Sequence, residues 1–225
     1  MSENLLNLYV IRHGTTELNL AGRLCGWEDA PLAQQGADEL RELAKSYPYP
    51  KIERLFASPL RRCRETAAIA FPNIEAETIE DIKEFHFGDC ERTLAREALG
   101  RPGVFERWLA HDDTLGFPGG ETVAECRKRG VRGFREIISR ALAEGCDEVG
   151  VVAHGTVLSL VFDELLAQPI PNAEPLVPNG MGYLFGVDKN NADCERPLVF
   201  LDYIPQGAPR PDTAMSPFIN PGGDN

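Results

Sequence analysis

Short, mostly apolar runs separated by segments with helical periodicity constrain the fold of this chain more than any other feature. The runs cover residues 8–11, 52–57 and 149–153, and they are rich in aliphatic and aromatic side chains. Strands that are apolar on both faces need a covering layer on each side, as in parallel sheets. The alternation of such strands with helices therefore predicts an α/β protein, a three-layer α/β/α sandwich with a mostly parallel central sheet.

Helical spacing of apolar residues, together with start and stop signals, predicts four helices, over residues 36–45, 63–70, 123–144 and 157–166. The third helix has the clearest limits. Thr122 and Glu125 stand at the spacing of a capping box, and Gly145 follows the last helical residue. Two later strands are predicted over residues 181–187 and 198–203.

The length of 225 residues is that of one domain, to which we assign residues 1–204. Residues 85–120 are rich in Gly, Pro and Arg, and we expect them to form an insertion over the sheet edge that carries the active site. Residues 205–225 contain five prolines and three glycines, so this tail is predicted to lack regular structure. An ordered tail would fit a homodimer.

The charge balance limits the partners of the chain. With 23 basic and 35 acidic residues, its formal net charge is −12, which disfavours nucleic acid and anionic membrane surfaces as main partners. No apolar run approaches the roughly 20 residues of a membrane-spanning helix, and the first residues lack a basic signal-peptide region, so a cytoplasmic protein is expected. The six cysteines show no C-x-x-C spacing, which favours free thiols over a metal site or disulfides.

Polar, reactive residues follow the three apolar strands. They are Arg12-His13-Gly14 after the first, Ser58 to Arg62 after the second, and His154-Gly155 after the third. The carboxyl ends of neighbouring parallel strands meet at one edge, so these residues are expected to share a pocket. The helix that begins near Thr156 would direct its N-terminal amides to the same place. Two histidines and two arginines around a helix N-terminus are typical of a phosphate site.

A neutral imidazole in such a pocket can attack phosphorus and form a phosphohistidine, provided that its other nitrogen has a backbone acceptor. The second histidine would be kept cationic by the phosphate dianion and would neutralise charge beside the arginines. Glu84, which lies in an aromatic stretch, is a candidate general acid for the leaving group and then a base for water. No metal and no cofactor are expected, because positioning and charge stabilisation suffice for phosphoryl transfer. His86 and His111 have no comparable setting and are expected to be structural or surface residues.

In these residues and their order, the chain resembles the histidine phosphatase (phosphoglycerate mutase-like) superfamily. The opening R-H-G-x-T-x-x-N motif is matched by Arg12, His13, Gly14, Thr16 and Asn19. The G-R-x-x-G-x-x-D-x-P-L motif is matched by Gly22, Arg23, Gly26, Asp29, Pro31 and Leu32. The S-P-L-x-R-x-x-x-T-A motif is matched by Ser58, Pro59, Leu60, Arg62, Thr66 and Ala67. Later matches are Glu84, Phe87 and Gly88, then residues 118–122, then Val151, His154 and Gly155.

The resemblance implies a role for each matched residue. His13 would be the nucleophile, Glu84 the proton donor, and Arg12, Arg62 and His154 would hold the phosphoryl group. Substrate contacts are expected from Thr16, Asn19, Arg23, Gly26 and Gly155. The family often continues Phe-Gly with x-Trp-Glu-Gly, whereas this chain has Asp89-Cys90-Glu91-Arg92. This departure concerns the pocket wall, and therefore the substrate, and leaves the catalytic positions intact.

Three functions follow. The first is a metal-independent phosphomonoesterase acting on a small phosphorylated metabolite, most similar to the α-ribazole phosphatase branch, with α-ribazole-5'-phosphate or a broad set of substrates. The second is a cofactor-dependent phosphoglycerate mutase, in which arginines of the insertion would bind the substrate carboxylate. The third is a regulatory module that binds a phosphate ligand without turnover, which the intact catalytic set disfavours.

Overall fold

Six strands form a single sheet in the computed structural model, which describes residues 4–171 and 177–209. They are β1 (Leu5–Arg12), β2 (Arg54–Ala57), β3 (Glu77–Thr78), β4 (Glu148–Ala153), β5 (Gly182–Asp188) and β6 (Val199–Ile204). The spatial order is β3-β2-β4-β1-β5-β6; β1 to β4 run parallel, and β5 is antiparallel to both of its neighbours. The prediction of a mostly parallel sheet is confirmed.

The helices are α1 (Glu17–Leu20), α2 (Gln34–Ser46), α3 (Arg61–Ala70), α4 (Ala95–Leu99), α5 (Val104–Leu109), α6 (Val123–Ala143) and α7 (Gly155–Leu165). Short 3₁₀ turns cover Glu80–Ile82 and Gly88–Cys90. The four predicted helices correspond to α2, α3, α6 and α7. The capping box of α6 is present with both of its hydrogen bonds, and Gly145 follows the helix with a φ of +74°, where a glycine is favoured.

Helices cover both faces of the sheet. On one face α6 and α7 bury aromatic and aliphatic residues such as Phe134 and Val157 against β1 and β5. On the other face α3 packs Cys63 and Ala67 against the central strands, and α2 packs on α3. This arrangement is the predicted three-layer sandwich, and it places the carboxyl ends of β1, β2 and β4 at the same edge of the sheet.

The predicted insertion, residues 85–120, contributes to the main core. Phe85, Phe87, Trp108 and Phe117 pack on one another and join the cluster on the face covered by α6 and α7. All six cysteines are free thiols, four of them buried, as the sequence predicts. Over the described ranges, no helix combines the length and the apolar character needed to span a bilayer. The prediction for the tail falls beyond residue 209 for the most part and lies outside the described residues.

Candidate active site

The parallel pairing of β1 with β4 brings the two predicted histidines together. Arg12 is paired with Ala153 in this register, so the next residues, His13 and His154, leave the sheet side by side. The amide of His13 also donates to the carbonyl of Ala153 at 3.0 Å. The two imidazole rings meet edge to face with centroids 5.1 Å apart. Both residues are buried, as expected for side chains at the end of a covered sheet.

The protonation of His13 follows from its hydrogen bond. Its Nδ1 lies 2.7 Å from the carbonyl oxygen of Gly14, and because a carbonyl only accepts, Nδ1 carries the proton. Burial, followed by the charges of Arg62 and Arg12, lowers the pKa of His13 well below its ordinary value. The ring is therefore neutral, and Nε2 has a free lone pair. This is the state that attack on phosphorus requires.

Arg12 supplies a buried cation next to His13. Its Nη1 donates to the carbonyl of Val177 at 2.8 Å, whereas its Nε is buried and has no partner among the described residues. Burial lowers the pKa of Arg12 to about 10, which leaves the guanidinium charged at neutral pH. A buried N–H without a hydrogen-bond acceptor costs free energy unless a bound ligand supplies the acceptor. The oxygens of a phosphoryl group are suitable acceptors.

Arg62, at the start of α3, is fully buried and orders the loop that faces it. Its guanidinium donates to the carbonyls of Gly26 at 2.7 Å, Glu28 at 2.9 Å and Cys25 at 3.2 Å. Thr66, one turn later, donates to the carbonyl of Arg62 and accepts from the amide of Gly14, which ties α3 to the nucleophile loop. Arg62 therefore lies in the predicted site with most of its donors already engaged.

His154 is held from two sides. The Nε of Arg62 donates to its Nδ1 at 3.2 Å, so Nε2 carries the hydrogen and donates to Ser58 Oγ at 2.7 Å. Burial, then the charges of Arg62 and His13, lower the pKa of His154 well below its ordinary value. The ring is neutral in this arrangement. The expected cationic form depends on a phosphate dianion beside it and stays a prediction.

Glu84 occupies the N-terminus of α7. Its carboxylate accepts from the amides of Phe85 at 2.8 Å, Val157 at 3.1 Å and Thr156 at 3.2 Å. Two of the α7 amides that the sequence placed at the phosphate site, those of Thr156 and Val157, therefore donate to the buried side chain of Glu84 in this structure. The same helix begins directly after His154, so the predicted proton donor is anchored beside the predicted phosphate ligands.

Glu91 is a site residue that sequence reasoning missed. Its carboxylate accepts from the amides of Trp27 at 2.8 Å, Gly26 at 2.9 Å and Phe87 at 3.2 Å, and so it joins the two loops that border the pocket. The approach is close, since a Cβ at residue 26 would lie 2.2 Å from the carbonyl oxygen of Phe85. The sequence singled out this acid only as part of the Asp89–Arg92 departure.

The predicted substrate contacts divide into two groups. Thr16 and Asn19 form the capping box of α1, just after the nucleophile, with the amide of Thr16 donating to Asn19 Oδ1 at 3.1 Å. Gly155 opens α7, and Gly26 borders Arg62. Arg23 differs, because it is exposed and its guanidinium donates to the carbonyl of Arg92 at 2.7 Å. The guanidinium of Arg23 thus joins two loops, and none of its hydrogen bonds within the described residues reaches Arg12, His13, Arg62 or His154.

The other two histidines lie outside the group formed by Arg12, His13, Arg62, Glu84 and His154. The ring of His86 stacks on Trp27 with centroids 4.5 Å apart, and His111 pairs with Asp163 at 2.5 Å. In the part of the chain that the structure describes, no three His, Cys, Asp or Glu side chains are grouped so that they could hold a metal ion. The site thus combines a neutral imidazole, two buried guanidinium groups and an anchored carboxyl group, which suits displacement at phosphorus.

Comparisons with known proteins agree with this chemistry. The family described as "Histidine phosphatase superfamily (branch 1)" matches residues 8–196. The chain is 29% identical over 170 residues, 73% of this chain and 77% of the relative, to the "Probable phosphoglycerate mutase GpmB" of Serratia proteamaculans. It is 25% identical over 175 residues, 73% of this chain and 81% of the relative, to the "Adenosylcobalamin/alpha-ribazole phosphatase" of Salmonella typhimurium. Among solved structures, TTHB049 from Thermus thermophilus superposes with a TM-score of 0.62 at 30% identity, over 88% of this chain and 99% of that chain.

Proposed function

The chain belongs to the histidine phosphatase superfamily, and from this membership we propose that it is a phosphomonoesterase that hydrolyses a small phosphorylated metabolite through a phosphohistidine on His13. The observation that carries the proposal is the hydrogen bond from His13 Nδ1 to the carbonyl of Gly14. It leaves Nε2 unprotonated, in a pocket where Arg12 has an N–H without an acceptor among the described residues.

The proposed reaction has two displacements. Nε2 of His13 attacks phosphorus, the bond from phosphorus to the ester oxygen breaks, and the leaving oxygen takes a proton from Glu84. A water molecule then gives a proton to Glu84 while its oxygen attacks phosphorus, and the P–N bond breaks to restore His13. Arg12 and Arg62 stabilise the charge that spreads over the phosphoryl oxygens, so this route needs no metal. Treatment with EDTA is expected to leave turnover unchanged.

A phosphoglycerate mutase is the second candidate, because relatives with mutase names and with phosphatase names match the chain over the same 73% share. Arg92, one of the arginines of the insertion, lies beside the loop that Arg62 contacts, where it forms an ion pair at 3.6 Å with Glu28. The phosphatase with the name "Adenosylcobalamin/alpha-ribazole phosphatase" makes α-ribazole-5'-phosphate a substrate to test first among phosphomonoesters.

Trapping the phosphoenzyme tests the shared mechanism. The protein is mixed with radiolabelled p-nitrophenyl phosphate, quenched in alkali, in which phosphohistidine survives, and digested for peptide mapping. We expect the label on the peptide that contains His13 and none in a His13→Ala variant. Label on another residue, or none in a protein that turns over, would contradict the proposal.

Product analysis separates the two candidates. The protein is incubated with 2-phosphoglycerate, α-ribazole-5'-phosphate, phosphoserine and glycerol 2-phosphate, and both inorganic phosphate and 3-phosphoglycerate are measured. A phosphatase releases phosphate from at least one of these esters. Interconversion of the phosphoglycerates faster than any release of phosphate would identify a mutase instead.

A further inference from the structure

Arg129, on α6, holds the backbone of the segment that carries Glu84. Its guanidinium donates to the carbonyls of Lys83 at 2.5 Å, Glu84 at 2.7 Å and Asp81 at 3.0 Å. These three acceptors lie 45 to 48 residues away along the chain, so the contact joins the long helix to the loop of the proton donor. No motif singled out Arg129 in the sequence.

Glu121 completes this contact from the other side. It forms an ion pair with Arg129 at 2.5 Å, and both side chains are only 12% exposed. The carboxylate of Glu121 also accepts from the amide of His86 at 2.8 Å. The pair therefore holds the carbonyl of Glu84 on one side and the amide of His86 on the other.

The side-chain end of Glu84 is fixed independently by the amides at the start of α7. Trp27 adds a further bond, from its Nε1 to the carbonyl of Glu84 at 2.8 Å. A proton donor acts only within hydrogen-bond reach of the leaving oxygen, and a displacement of about 1 Å can lower the rate by about 100-fold. A buried ion pair is weak evidence for stability alone, because its desolvation offsets much of its attraction.

We propose that the partly buried Arg129–Glu121 pair is a positioning device for the proton donor, which fixes the backbone of residues 83–86 so that the Glu84 carboxyl meets the leaving oxygen. The inference rests on the proposed function, in which Glu84 protonates the leaving group. In this proposal Arg129 does not contact the substrate. Arg129 affects the reaction only by setting the position of Glu84.

The test compares substrates that differ in their need for a proton. Turnover of glycerol 2-phosphate requires protonation of an alkoxide, whereas p-nitrophenolate leaves with little help. The variants are Arg129→Lys and the double variant Arg129→Met/Glu121→Met, which avoids leaving one charge buried without its partner. Arg132→Met is the matched control, because Arg132 lies on the same helix, is 60% exposed and binds Asp81 with its side chain. Urea unfolding of each variant separates loss of folding from loss of rate.

In the double variant, turnover of glycerol 2-phosphate is expected to fall by about 10- to 100-fold, with less than about a threefold change for p-nitrophenyl phosphate. Arg129→Lys keeps the charge with fewer donors, so its turnover of glycerol 2-phosphate should lie between those of the double variant and the wild type. Arg132→Met is expected to retain both activities. Equal losses on the two substrates, or no loss in a folded variant, would overturn the inference. If the double variant does not fold, the substrate ratio of Arg129→Lys decides in the same way.

Glu84→Gln, assayed beside these variants, distinguishes a failure of the positioning inference from a failure of the proposed function. If Glu84→Gln affects mainly glycerol 2-phosphate and the Arg129 variants do not, only the positioning inference fails. If Glu84→Gln lowers both activities equally, or the wild type releases no phosphate, the proposed role of Glu84 fails and the inference falls with it.

Discussion

The two halves of the site are built in different ways. The strand-end half, which consists of Arg12, His13 and His154 with Arg62, lies directly at the ends of β1 and β4 and the start of α3. The loop half, Glu84 with the loops of residues 25–28 and 83–91, is held by side chains that bond to distant backbone groups. The first half inherits its geometry from the sheet. The second depends on individual polar contacts.

The two halves therefore differ in how easily a substitution can change their geometry. A parallel sheet buried on both faces fixes the residues that follow its strands, so the strand-end half varies little unless the fold itself fails. Each contact of the loop half can be changed without unfolding the sheet. Chemistry at phosphorus is therefore expected to tolerate changes in the loop half better than proton delivery to the leaving group does.

Substitution of His13, the proposed nucleophile, is the strongest test of the strand-end half. His13→Ala is expected to lower turnover of glycerol 2-phosphate and p-nitrophenyl phosphate alike, by about 10⁴-fold or more, because the proposed covalent intermediate forms on this ring. Steady-state assays of both substrates measure it. His111→Ala is the matched control, since this histidine pairs with Asp163 and lies outside the group of site residues. The His111→Ala variant should retain activity. A His13→Ala protein with near-normal turnover would exclude the mechanism.

Substitution of Glu84, the proposed proton donor, tests the loop half and should discriminate between substrates. Glu84→Gln is expected to slow turnover of glycerol 2-phosphate by about 10²- to 10⁴-fold and that of p-nitrophenyl phosphate much less, because the amide cannot donate the proton that an alkoxide needs. Glu80→Gln, at an exposed residue of the same segment, serves as the control. Equal slowing of both substrates would mean that Glu84 positions the phosphoryl group and does not deliver a proton.

The same division explains what the sequence could predict. A residue directly after an apolar strand must lie at the carboxyl edge of the sheet, so His13, His154 and the arginine positions follow from pattern alone. Glu91 and Arg129 look like ordinary surface charges in the sequence, and the backbone partners that give them their place in the site include Gly26, 65 residues from Glu91, and Glu84, 45 residues from Arg129. No periodicity marks such contacts. For the same reason the sequence did not show that Glu84 would occupy the α7 N-terminus, and the short helices α4 and α5, without side-chain caps, were not predicted.

A smaller change can disturb the junction of the two halves. In Gly26→Ala the new Cβ would lie 2.2 Å from the carbonyl oxygen of Phe85 and 2.3 Å from Oε1 of Glu91, so the loop must move. We expect a loss of about 1–3 kcal/mol in the free energy of unfolding, measured with urea, and weaker turnover, since the Gly26 carbonyl accepts from Arg62. Gly186→Ala is the control, because its Cβ would meet only flexible side-chain atoms, the nearest being Leu201 Cδ1 at 3.1 Å. Equal stability of the two variants would show that the loop adjusts freely.

The smallest expected effect is a pH dependence that belongs to the strand-end half. The pKa values of His13 and His154 are lowered in the fold, mainly by burial, from an ordinary value of 6.5. Below about pH 6.5 the unfolded chain therefore binds more protons than the native protein, and the free energy of unfolding falls as pH falls. The contribution of these histidines is complete above that pH and decreases by at most about 1.4 kcal/mol per pH unit for each ring.

Urea unfolding at pH 7.5 and pH 5.5 measures this slope. The wild type is expected to lose stability on acidification, and His13→Gln to lose less of it, by about 1 kcal/mol, because one of the two neutral rings is gone. Cys63→Ala alters the same pocket without adding or removing a group that titrates in this range, since burial raises the pKa of the Cys63 thiol. It should change stability by the same amount at both pH values. A His13→Gln slope equal to that of the wild type would mean that His13 is not held neutral by its surroundings, and the proposed role of His13 as a nucleophile would lose its main support.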